Sequence, residues 1–152
     1  MSTNDESTPL LPQSDPAISD HESKPEGIMS PLTFWRIGAA LGAAGVGLGA
    51  FGAHGLKSRI SDPQRLANWS TAAQYQLIHS GVLLVASSNP IASSLFTAGI
   101  VMFSGSLYAL TLDPETFRPL GPVTPLGGLC LIGGWVALAL TKNPRFLRAF
   151  RQ

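Results

Sequence analysis

IASSLFTAGIVMFSGSLYALTL, residues 91 to 112, carries no charged side chain. An α-helix needs ~20 apolar residues to cross the hydrocarbon core of a bilayer, and this stretch has that length. Three further segments are uncharged: Ile37 to Ala53, Trp69 to Ser88 and Leu120 to Thr141. A helix on the surface of a small soluble bundle needs a polar face, and these four have almost none. The expected fold class is therefore all-α, an integral membrane four-helix bundle over residues 34–141. Its spans fall at about 35–54, 69–88, 91–112 and 120–141.

The connections agree with that count. Ser87-Ser88-Asn89-Pro90 is a short polar turn, which makes the second and third helices antiparallel neighbours. Asp62-Pro63 reads as an N-cap followed by proline in the first helical turn, so residues Gln64 to Asn68 run straight into the second span. Thr124-Pro125 repeats the signal at the fourth span, and Asn143-Pro144 repeats it once more beyond.

The ends of the chain have another character. Hydrophobic residues make up 45% of the 152 and charged residues only 12%. Six of the nine acids precede residue 27, in a stretch rich in Ser, Pro and Thr. Residues 1–33 bury too little apolar surface to offset the entropy of ordering, and a disordered acidic tail is expected. The tail holds no apolar core of a secretory signal, and it is acid-rich where mitochondrial presequences are acid-poor. Within it, Glu6, Leu10 and Leu11 have the form of an acidic dileucine sorting signal, with a cytosolic adaptor as the partner. At the other end, residues 142–152 place Phe146, Leu147 and Phe150 on one helical face and Arg145, Arg148 and Arg151 on another. A short basic amphipathic helix lying on anionic headgroups is expected.

Four crossings put both tails on one side. That side has Lys24, Arg36, Lys142, Arg145, Arg148 and Arg151; the other has Lys57, Arg59, Arg65 and Arg118. The excess places both termini in the cytosol, with an endomembrane or plasma-membrane address.

Four separated blocks carry a family resemblance: GAFGAHGLK, WSTAAQYQLIHSGVLL, FSGSLYAL and TPLGGLCLIGGW. In that order and spacing the chain resembles domain-of-unknown-function family 423, which includes the transmembrane protein 256 group. The similarity covers residues ~35 to 141 and leaves both tails outside. It implies the fold and the membrane location, and it carries over no catalytic residue. His54 and His79 occupy positions that match the family's blocks.

In the first helix, Gly38, Gly42, Gly45, Gly49 and Gly52 are spaced 4, 3, 4 and 3 apart. A repeat near 3.5 forms a nearly straight stripe along which a neighbouring backbone can approach closely. Two partners stay open for the stripe, another helix of this chain or a second copy. His54 sits one residue before Gly55, and Lys57 and Arg59 follow. That string reads as a helix end, with a cation at the negative pole and Gly55 in the left-handed position; proton or metal handling is the alternative. His79 lies ~10 residues into the second span, ~15 Å deep at 1.5 Å per residue. With Gln76 and Ser80 it forms the candidate polar cluster inside the membrane. One reading is an interhelical hydrogen-bond cluster with Ser104, Ser106 or Tyr108, and the other is a site for a small solute, a proton or a metal.

No acid lies inside any span, and the single cysteine, Cys130, allows neither an internal disulfide nor a cysteine metal cluster. Neither an enzyme, a cofactor nor a structural metal is expected, and nucleic-acid binding has no basis beyond the short basic tail. The expected partners are the lipid bilayer and a second copy or another membrane protein. The expected role is a structural or assembly component of the membrane, with transport beside His79 as the alternative.

Overall fold

In a computed structural model of the protein, residues 29–141 are described, and every regular element among them is helical. They form α1 (Pro31–Phe51), a π turn (Gly52–Leu56), α2 (Pro63–Ala86), α3 (Pro90–Leu112), a 3-10 turn (Arg118–Leu120) and α4 (Val123–Leu140). The acidic tail with its dileucine pattern and the basic segment 142–152 lie outside the described residues. The helical domain begins slightly before the expected residue 34, because Ser30 already caps α1.

Three helices start in one way. The side chains of Ser30, Asp62 and Asn89 accept from the backbone N–H groups of Thr33, Gln64 and Ala92 at 3.2, 2.9 and 3.1 Å. A proline follows each cap at the first helical position, where its missing N–H removes no helix bond. The fourth start departs from the expectation. The 3-10 turn brings the chain to Pro122 already in a helical conformation, so Thr124 falls inside α4 instead of capping it. Its hydroxyl lies 2.6 Å from that of Ser106 and joins α4 to α3. Pro125 still sits among the first residues of the helix, whose N–H groups have no intrahelical acceptor.

Among the described residues, three helices qualify by length and composition to cross a membrane: α1 with its π turn, α3, and α4 with its 3-10 turn. The sequence also expects α2 to span, yet Gln64, Arg65, Asn68, Gln74, Gln76 and His79 make it too polar to qualify alone. Packing explains how it is accommodated. α2 lies between α1 and α3 and runs antiparallel to both. Gly38 faces Ser80 and Leu83 while Gly52 faces Trp69. Ser93 bonds to Ala86, Ser104 to Ala72, and Arg65 to the carbonyls at the end of α3. Its buried face combines Trp69, Ala72, Ala73 and Leu83 with Gln76, His79 and Ser80, and its exposed face shows Leu77, Ile78 and Val85. α4 packs antiparallel on α3, with Phe96 against Gly134 and Leu131 against Gly99.

The hydrophobic core joins Phe34, Leu83, Ala86, Ala92, Phe96, Ile100 and Leu131. It occupies the half of the bundle nearest the chain ends, where Asn89 Nδ2 also donates to Thr141 Oγ1 at 2.8 Å. The opposite half is closed by Arg65. Its guanidinium donates to the carbonyls of Thr111 and Leu112, the negative pole of α3.

Candidate functional site

The buried imidazole of His79 (7% exposed) is held from both sides. Its Nδ1 lies 2.7 Å from the carbonyl oxygen of Tyr75, one turn earlier on α2. A carbonyl only accepts, so Nδ1 carries a hydrogen and donates it. From α4, Trp135 Nε1 donates to Nε2 at 3.2 Å. An indole N–H only donates, so Nε2 is the acceptor. Together the partners select the neutral ring with its hydrogen on Nδ1. Tyr75, Phe96 and Trp135 surround it, with ring centroids at 5.6, 5.8 and 6.2 Å.

None of the partners expected on α3 serves His79. Ser104 Oγ donates to the Ala72 carbonyl at 2.9 Å, and Ser106 pairs with Thr124. The Tyr108 hydroxyl is buried with no hydrogen-bond partner among the described residues, and its ring packs on Trp69 at 4.5 Å. The true partner, Trp135, lay in plain view. A tryptophan within an apolar span has one N–H that needs an acceptor, and that is the signal that points to it.

Gln76, His79 and Ser80 are not brought together around one space. Gln76 Nε2 reaches across to α1 and donates to the Leu41 carbonyl at 2.8 Å. His79 turns toward α4, and Ser80 Oγ donates back to the Gln76 carbonyl at 2.6 Å. Trp69 Nε1 donates to the Leu48 carbonyl at 2.8 Å. The recurring device is a side-chain donor placed on a helix carbonyl. Each such carbonyl has a second lone pair, so it accepts the side chain without giving up its helical bond.

The first helix does not end at His54. It widens into the π turn and stays right-handed through Lys57, whose φ and ψ are −59° and −27°. Gly55 is not left-handed. It is needed for space, since a Cβ there would lie 2.9 Å from the Phe51 ring. Phe51 in turn packs on Trp69 with centroids 5.6 Å apart, and Gly52 lies directly against the Trp69 indole. His54 is exposed at this end, in the same turn as the buried Leu56. It does not meet His79, which lies beyond Trp69 on α2. Among the described residues no group of three His, Cys, Asp or Glu side chains is placed to hold a metal.

The glycine stripe packs within the chain. A Cβ at Gly38, Gly42, Gly45, Gly49 or Gly52 would meet, in turn, Leu84, Ser80, Gln76, Ala73 and Trp69, all on α2. Toward the π turn this seam opens into a groove of about 450 Å³, lined by Gly49, Ala53, Lys57, Trp69, Gln74 and Leu77 among others. Beyond α3, Asp113 accepts from the Thr116 N–H at 3.1 Å; hydrogen bonds from Thr116 hold its carboxyl below the usual carboxylate range.

This arrangement has relatives. A family described as "Protein of unknown function (DUF423)" matches residues 48–128, more than half of the chain. A UPF0382 membrane protein of Schizosaccharomyces pombe is 40% identical over 116 residues, which cover 70% of this chain and 98% of that protein. The UPF0382 membrane protein YwdK of Bacillus subtilis is 41% identical over 117 residues, 70% of this chain and 93% of its own length. A Staphylococcus aureus relative of the same description is 42% identical over 115 residues, 70% and 92%. No solved structure matches. The segments around His54 and His79 fall within residues 48–128, and the chain belongs to the DUF423 family of membrane proteins.

Proposed function

We propose that this membrane protein is a structural or assembly component of an endomembrane or the plasma membrane, without enzymatic activity and with both termini in the cytosol. One observation carries the reading: the polar side chains of α2 serve to fasten helices. Trp69 and Gln76 tie α2 to α1, and His79 accepts from Trp135 of α4. In return α2 supplies the Ala72 carbonyl to Ser104 of α3. The outer surface left by this packing is apolar, with Val46, Val85, Ile91, Val101 and Leu129 exposed to lipid or to a partner. The partner is a second copy or another membrane protein, and an adaptor for the N-terminal tail is a further one.

Crosslinking and affinity capture of the full-length chain from native membranes tests this. A defined stoichiometric complex is expected, and a chain that stays monomeric and uncomplexed sinks the proposal. Proteoliposomes test it from the other side. Pumping or leak of protons, metals or small solutes that His79→Ala abolishes would replace it with transport.

A further inference from the structure

The geometry points to a binding site for one acidic phospholipid in the groove between α1 and α2, with an acyl chain along the glycine wall and the phosphate at Lys57. This inference goes beyond the assembly role and does not depend on it. The α1 wall of the groove has low relief, since Gly45, Gly49 and Gly52 supply no side chains and only Val46, Ala50 and Ala53 stand beside them. The facing wall offers Trp69 and Leu77, and the volume of about 450 Å³ lies in the range of small-molecule sites. The groove runs along the α1–α2 seam from Gly45 to the end of the π turn. There Lys57 forms part of its lining.

The charge around that mouth decides the headgroup. His54, Lys57 and Arg59 follow one another, and no acid occurs between Glu26 and Asp62. Asp62, the first acid beyond them, is directed to the start of α2, where it caps the Gln64 N–H. A cation at headgroup depth above an apolar slot matches a ligand with a negative head and a long apolar tail. Acidic phospholipids have that form, and with both tails in the cytosol this one is drawn from the opposite leaflet, so its head chemistry and not its abundance selects it.

Native mass spectrometry of the full-length protein, released from detergent with equal amounts of phosphatidylglycerol and phosphatidylcholine, reads the site directly. One retained phosphatidylglycerol per chain is expected. Lys57→Gln, at an exposed position, should lower the ratio of phosphatidylglycerol to phosphatidylcholine about five-fold. Ala53→Phe, which fills the groove from its exposed rim, should reduce retention of both lipids, while Val85→Phe on the far lipid-facing surface should leave both unchanged. Equal retention of the two lipids by the unaltered protein overturns the proposal. So does a ratio that Lys57→Gln does not move, or a dimer that Ala53→Phe dissolves, which would assign the groove to a second copy.

Discussion

The seams of α1 on α2 and of α3 on α4 are both built on glycine, but the glycines do different things. On α1 five glycines form a stripe, and three of the five facing contacts are loose. A Cβ would stand 3.7 Å from Ser80 at Gly42, 3.4 Å from Gln76 at Gly45 and 3.8 Å from Ala73 at Gly49. Cross-helix hydrogen bonds from Trp69 and Gln76 hold this seam, and it leaves a groove. On α3 and α4 the glycines are sockets. Leu131 fills the space at Gly99, with a Cβ there 2.5 Å from its Cδ2, and Phe96 fills that at Gly134, 2.7 Å away. Gly127 lies against the backbone of Phe103 itself. Small residues facing each other leave room, whereas a large side chain set into a glycine socket fills it. In lipid that second arrangement gains the most dispersion attraction.

The largest contrast between the seams should appear on adding one methyl to each. Gly127→Ala pushes against backbone that cannot rotate away, and should cost about 3 kcal/mol with loss of the monodisperse peak in detergent gel filtration. Gly49→Ala meets Ala73 at ordinary contact distance and should shift stability by less than about 0.5 kcal/mol. Equal losses would show that the seams are packed alike.

Gly52→Ala probes the tightest point of the looser seam. The obstacle there is the Trp69 side chain, which can turn aside at the loss of its bond to Leu48. A cost of about 1–2 kcal/mol is expected, together with a shift in tryptophan emission. A smaller effect comes from the link that joins α2 to α4. A double-mutant cycle of His79→Leu and Trp135→Phe, measured by denaturant unfolding in detergent, should yield a coupling of about 0.6 kcal/mol. A coupling of zero would remove this hydrogen bond from the account.

The smallest effect lies at the far end of α3. The folded-state pKa of Asp113 is depressed below its ordinary 3.8 by hydrogen bonds from Thr116. Its contribution to stability is therefore present above that value and lost as pH falls through the depressed one. A slight deficit of Asp113→Asn at neutral pH should vanish in acid, and a deficit that persists there would assign it to something other than charge.

Much of this architecture was legible because lipid imposes a simple pattern. Long uncharged runs marked the helices, the pair Asp62-Pro63 marked one start, and Ser87-Ser88-Asn89-Pro90 marked the turn between α2 and α3. The glycine stripe marked one seam, although its partner could not be read, since close approach to α2 and to another molecule need the same residues. The socket seam went unread because Gly99, Gly127 and Gly134 lie on two different helices, and the side chains they receive come from the opposite partner. The surroundings of His79 went unread for a related reason. Polarity in sequence neighbours suggested serines of α3, whereas an aromatic N–H of α4 supplies the bond. At the end of α1 the sequence suggested a stop, but the Phe51 and Trp69 rings need Gly52 and Gly55 for space and the helix continues.

The polarity of α2 has a bearing on biosynthesis. A segment with two glutamines and a histidine in its middle gains little by leaving the translocon alone, since its donors would meet only acyl chains. The Leu41 and Leu48 carbonyls that receive Gln76 and Trp69 belong to α1, which is made first. Docking against that earlier helix as a hairpin lets α2 enter the bilayer with two of its donors satisfied, and makes the glycine face of α1 a template for its successor.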